Sequence, residues 1–134
     1  MSVKYLLFVV GALFLAGGVA QADAPLKTAL SLSTDQAKQV GDIQKKYRKQ
    51  FASKRQELNR EMRALRRAKI ANDSAAIARQ EQKTARLRDE LRAIRQKEND
   101  EIRTVLTPAQ REKFEQVLAQ RKEMIGSSRD EREL

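Results

Sequence analysis

Between Ile43 and Ile70 the chain carries eleven cationic side chains, Lys45, Lys46, Arg48, Lys49, Lys54, Arg55, Arg60, Arg63, Arg66, Arg67 and Lys69, against two acids, Glu57 and Glu61. At neutral pH such groups do one kind of chemistry: they attract anions and hydrogen-bond to them. Nothing in the sequence turns them into catalysts. The chain has no His and no Cys and no glycine-rich phosphate loop, so no pair of residues suggests an acid, a base or a nucleophile. Neighbours such as Asp89 and Glu90 read as helix-surface charges. Specific zinc or copper binding lacks its ligands as well, since Met62 and Met124 are the only methionines besides Met1 and carboxylates suit harder cations. The expectation is a protein that is not an enzyme, with no catalytic residue, no metal ligand and no cofactor.

A second set of residues offers hydrogen bonds to the backbone. Leu32-Ser33-Thr34-Asp35-Gln36 and Leu106-Thr107-Pro108-Ala109-Gln110 share one pattern: Leu, a hydroxyl residue, two spacers, Gln. In a capping box the hydroxyl of Ser33 or Thr107 accepts from the amide three residues on, while Gln36 or Gln110 reaches back. Pro108 then falls at the first helical position, where its missing N–H costs nothing. Each box announces a helix start.

The elements that must position these residues are helices. After Pro25 the sequence has one further Pro, Pro108, and between them one Gly, Gly41. Val40, Ile43, Tyr47, Phe51, Leu58, Met62 and Leu65 fall within an arc of about 100° on a helical wheel, the width of a core-facing stripe. This predicts a helix from about Thr34 to Ile70, with Gly41 as the one candidate bend. Ala71-Asn72-Asp73-Ser74 is the break, and Asp73 or Ser74 can cap the next helix. A second stripe, Ile77, Thr84, Leu87, Leu91, Ile94, Ile102 and Val105, predicts a helix to about Thr104. So short a turn makes the pair an antiparallel hairpin. A shorter third helix runs from Pro108 to about Met124 and presents Phe114, Val117, Leu118 and Met124.

On the first long helix Arg48, Arg55 and Arg66 border one side of the stripe, Glu57 and Glu61 lie on the other, and Lys45, Lys49, Arg60, Arg63 and Arg67 occupy the back. The alternative to a binding surface is a solvated face, partly paired with Asp89, Glu90, Glu98, Asp100 and Glu101 of the second helix. Eleven cations against two acids, +9 over 43–70, exceeds what solubility requires.

The N-terminus reads as an export signal. Lys4 precedes the apolar run Tyr5 to Ala16, and Ala20-Gln21-Ala22 follows, the order of a secretory leader. The run is shorter than the roughly 20 residues of a spanning helix. Residues 1–22 are therefore expected to be a signal peptide cut after Ala22, residues 23–31 a mobile lead-in, 32–125 the helical domain, and 126–134 a mobile charged tail opened by Gly126. The processed chain keeps 27 Lys and Arg against 18 Asp and Glu, so the window 43–70 carries the whole excess. Its aromatics are Tyr47, Phe51 and Phe114, a thin core for a monomer, and a homodimer is expected to cover the remaining stripe. The absence of Cys removes both a lipoprotein anchor and disulfides.

The paired motifs resemble those of the Spy/CpxP family, whose members carry two Leu-Thr-x-x-Gln sequences at helix starts. Leu106-Thr107-Pro108-Ala109-Gln110 matches in full, and Leu32-Ser33-Thr34-Asp35-Gln36 replaces Thr by Ser. The resemblance covers about residues 30–124. It implies a periplasmic, antiparallel, cradle-like all-α dimer that acts as an ATP-independent chaperone or as a negative regulator of an envelope-stress sensor kinase. Related proteins of similar fold bind zinc or other heavy metals, for which ligands are missing here. The first helix also runs on without the Pro-marked break of some members.

The functional expectation joins both readings: unfolded or acidic periplasmic proteins bind at Lys45, Arg48, Lys49, Phe51, Arg55, Arg60, Met62, Arg63, Arg66 and Arg67. The alternative partner is the periplasmic domain of a sensor kinase. Nucleic acid is not expected as a partner, given the leader and the scarcity of aromatics for base stacking. Nor is a stable membrane anchor after processing, because the apolar stripe is needed by the hairpin and the dimer.

Overall fold

The computed structural model describes residues 25–130, with side chains to Glu123. The expected leader, residues 131–134 of the tail and the side chain of Met124 lie outside the described residues. Four helices follow in order: α1 Leu26–Ala29, α2 Thr34–Ile70, α3 Ser74–Val105 and α4 Pro108–Asp130. No strand occurs among the described residues. α2 and α3 pack along one another as the expected hairpin. At ~1.5 Å per residue, α2 extends about 55 Å.

The hairpin turn is made by local hydrogen bonds. Asn72 adopts the left-handed conformation at φ 52°, which Asn tolerates better than most residues. The amide of Asp73 then donates to Ala68 O at 3.1 Å and that of Asn72 to Lys69 O at 3.2 Å, satisfying carbonyls that the end of α2 would leave bare. Asp73 next caps α3, its carboxylate accepting from the Ala76 amide at 2.9 Å. The same device closes α1: Ser31 sits at φ 50°, and the Leu32 amide reaches back to Lys27 O at 3.0 Å.

The core is concentrated at the base, where the hairpin's open end meets α1 and α4. Leu26, Leu30, Leu32, Val40, Ile102, Leu106 and Phe114 form one buried cluster, with Phe114 only 1 % exposed. Leu58, Leu87 and Leu91 form a smaller one midway, with Phe51 packed against it. Toward the turn the interface thins to Thr84 and Ala68.

Three sequence expectations change. The lead-in over 23–31 is packed where it is described: Leu26 and Leu30 belong to the base cluster, and burial holds a one-turn helix too short to show any periodicity. α4 runs past Met124 and through Gly126 to Asp130, so Gly126 does not open a tail; a Gly inside a helix costs about 1 kcal/mol and need not end it. Met62, placed in the core stripe, is 40 % exposed, because the stripe's edge turns out of the hairpin interface there.

Candidate partner-binding surface

Both capping boxes form. Ser33 Oγ accepts from the Gln36 amide at 3.2 Å and Gln36 Oε1 from the Ser33 amide at 3.1 Å. Thr107 Oγ1 accepts from the Gln110 amide at 3.3 Å and Gln110 Oε1 from the Thr107 amide at 3.0 Å. What single-helix reasoning missed is that the boxes are joined. Gln36 Nε2 donates to Gln110 Oε1 at 2.8 Å and to Val105 O at 3.0 Å. Gln110 Nε2 returns a bond to Gln36 Oε1 at 3.1 Å and donates to Leu30 O at 3.3 Å. Each carboxamide thus uses both N–H groups and accepts twice, with Leu32 and Leu106 buried beneath. The repetition of the motif was the available signal. Leu32, Ser33, Gln36, Leu106, Thr107 and Gln110 are a clasp that closes the base of the hairpin.

The cations of α2 divide by direction. Three lysines face α3 and are paired: Lys46 Nζ with Glu101 at 2.8 Å, Lys54 Nζ with Glu90 at 2.7 Å and Glu57 at 3.3 Å, and Lys69 Nζ with Glu81 at 3.6 Å. Tyr47 Oη donates to the same Glu101 oxygen as Lys46, at 2.5 Å. The hydrogen bonds from Lys46 and Tyr47 hold the Glu101 carboxyl below the usual carboxylate range, and the same bonds raise Lys46 and Tyr47.

Most of the residues picked out as a binding surface face the other way. Lys45, Arg48, Lys49, Arg55, Arg63, Arg66 and Arg67 are exposed, and among the described residues none has a carboxylate at ion-pair distance. Arg60 has only Glu61, at a loose 3.9 Å. Arg48, Arg55, Met62 and Arg66 follow at intervals of seven, seven and four, which places them on one exposed row. Pairing with the acids of α3 thus accounts for Lys46, Lys54 and Lys69, while Lys45, Lys49 and the arginines of α2 other than Arg60 carry their charge into solvent.

Two of the picked residues, Arg48 and Phe51, meet others from α3 and α4 in an open groove of about 550 Å³ at the base. Its apolar floor includes Phe51, Ile102, Phe114 and Leu118; Arg48, Arg95 and Arg121 surround Glu98. The Arg95 guanidinium lies 4.7 Å from the Phe51 ring centre. Burial pushes the Glu98 carboxyl up, opposed by the charges of Arg95, Arg121 and Arg48. Arg95, Glu98 and Arg121 were not foreseen, because a helical wheel reads one helix at a time and this groove needs three. The remaining picked residues do not converge with it; they spread along the outside of α2.

A family model described as LTXXQ motif family protein matches residues 19–118. The chain belongs to the LTXXQ motif family. This is the family of Spy/CpxP-like periplasmic proteins, chaperones and regulators in kind and not enzymes. The match takes in both motifs, the whole hairpin and α4 as far as Leu118. No curated protein and no solved structure gives a significant match. Among the described residues no group of three or more His, Cys, Asp or Glu is placed to hold a metal ion, and no helix is long and apolar enough to cross a membrane.

Proposed function

We propose that this LTXXQ protein is exported by its leader, cut after Ala22, and works in the periplasm as an ATP-independent chaperone for unfolded or misfolded envelope proteins. The observation that carries the reading is the exposed row of unpaired arginines on α2 with Met62 set among them. Unpaired cations draw in acidic segments from a distance, and the aliphatic stems of Arg beside an exposed thioether then hold apolar stretches loosely. Weak contacts of this kind let a client leave without hydrolysis. Two copies pairing side by side would widen the surface and cover the half-buried positions of the hairpin.

The test is an aggregation assay on an unrelated denatured protein without nucleotide. A several-fold excess of this protein should suppress light scattering. Capture should slow as salt rises, because exposed charges are screened over ~8 Å at physiological ionic strength. Reversing Arg55, Arg63 and Arg67 to Glu should weaken suppression while far-UV circular dichroism stays helical. Unchanged scattering with the unaltered protein sinks the reading, and unchanged suppression by the triple variant removes the arginines from it.

The groove at the base favours a second reading, in which a shaped site takes one defined partner, the periplasmic domain of a sensor kinase held inactive under calm conditions. Gene deletion separates the two. Loss of a regulator switches on a stress response without stress, whereas loss of a chaperone shows when envelope proteins unfold.

A further inference from the structure

The tip half of the hairpin differs from the base in two independent ways. The first is charge. Its acids are already engaged: Glu61 lies 3.9 Å from both Arg60 and Lys83, Glu81 pairs with Lys69, and Asp73 caps α3. Arg63, Arg66 and Arg67 on α2, and Arg79 and Arg86 on α3, are left with no carboxylate at ion-pair distance among the described residues. The second is apolar exposure. Among the described residues the large hydrophobic side chains left open to solvent are Met62, 40 % exposed, and Ile70, 78 % exposed. Both lie in this half. Met62, Arg66 and Ile70 follow at four-residue steps and so form a single exposed ridge, and Ile70 ends α2 at the turn itself, with Ala71 and Ala75 exposed beside it.

We propose that the hairpin tip docks on the surface of an anionic phospholipid bilayer, with Ile70 entering the boundary between headgroups and acyl chains and the free arginines on the headgroup phosphates. The arrangement of charge selects this occupant. The unpaired cations come from both helices, Arg66, Arg67 and Arg79 within about two turns of the hairpin's end and Arg63 and Arg86 further along its sides, so one peptide strand following a single helix meets only part of them. An extended sheet of negative charge meets both helices at once. Clusters of four to eight cations flanking apolar positions are the usual footprint of binding to acidic lipid, and Arg stems can lie against the acyl boundary while their guanidinium groups stay at phosphate level. A chain attached in this way lies on the membrane and does not span it. The proposal goes beyond client capture and does not depend on it, since its test contains lipid and no client.

The chain has no Trp, which makes Ile70→Trp a reporter without background. Because Ile70 is mostly exposed, the replacement disturbs no packing. In the full chain as its host processes it, emission from Ile70→Trp should shift to the blue with phosphatidylglycerol-containing vesicles and stay unshifted with phosphatidylcholine alone. The shift should be lost when Arg63, Arg66 and Arg67 are reversed to Glu in the same background, with helicity unchanged. A Trp placed at exposed Lys38, near the base, should not shift on either vesicle. No shift at position 70, an equal shift at position 38, or an equal response to neutral vesicles would overturn the proposal. So would a shift produced by an unfolded polypeptide when vesicles give none; that result would assign the tip to protein clients.

Discussion

Gln36 and Gln110 make more of the clasp than the hydroxyls they partner, and this predicts unequal costs. Thr107→Ala removes one cap bond and should lower stability by about 1 kcal/mol. Gln36→Ala removes its half of the box, unpairs Gln110 and leaves Val105 O without its side-chain donor, so ~2 kcal/mol is expected from the partly buried polar groups stranded. Gln36→Ala and Gln110→Ala combined should cost less than the two singles added, since either alone breaks the shared pair. Urea unfolding of the four proteins measures the coupling. Additive losses would mean that the two amides do not act together. Glu98 supplies a pH prediction. Its folded-state pKa is raised by burial, so the stability contributed by its protonated form is full below the unfolded carboxylate value and is lost as pH rises through the folded value. Glu98→Gln, which cannot ionise, should therefore melt slightly higher than the unaltered protein at pH 7, and the two should converge in acid.

The long elements were legible because each obeys one physical rule. The 3.6-residue stripe and the Ser33 box place α2 at Thr34–Ile70 as observed, and of the two cap candidates for α3, Asp73 and Ser74, the structure uses Asp73. Gly41 was a candidate bend, yet α2 passes through it unbroken, and a Cβ there would meet nothing within 4 Å. Gly41→Ala should accordingly raise stability by about 0.5–1 kcal/mol through the entropy of the unfolded chain, read as a higher denaturation midpoint with client capture unchanged. What escaped the sequence was tertiary. One turn of α1 has no period to detect and exists because Leu26 and Leu30 find the base cluster. The extension of α4 turns on whether a single Gly is enough to stop a helix. The groove needs Arg48, Arg95 and Arg121 from three helices at once, and the free arginines could be told from the paired lysines only after α3 was laid beside α2.

For the molecule as a whole, the uneven core implies uneven stability. The base combines the larger apolar cluster with the clasp, and the tip half keeps little beyond Thr84, Ala68 and exposed ion pairs. Exposed pairs contribute about 0–1 kcal/mol each, so the tip should open locally far more often than the base. Amide hydrogen exchange should be slowest around Val40, Ile102 and Phe114 and fastest over residues 64–82. Uniform protection along the hairpin would contradict the two-cluster picture.

The clasp joins residues 74 positions apart, and Gln110 comes late in the chain. A polypeptide made from its N-terminus can pair α2 with α3 once the turn and the residues after it have emerged, because those contacts begin locally. Its base cannot shut until α4 arrives. Until then the emerging chain is an open fork, with the leucines of its base uncovered between the prongs, and the last helix to appear is the bolt that locks it.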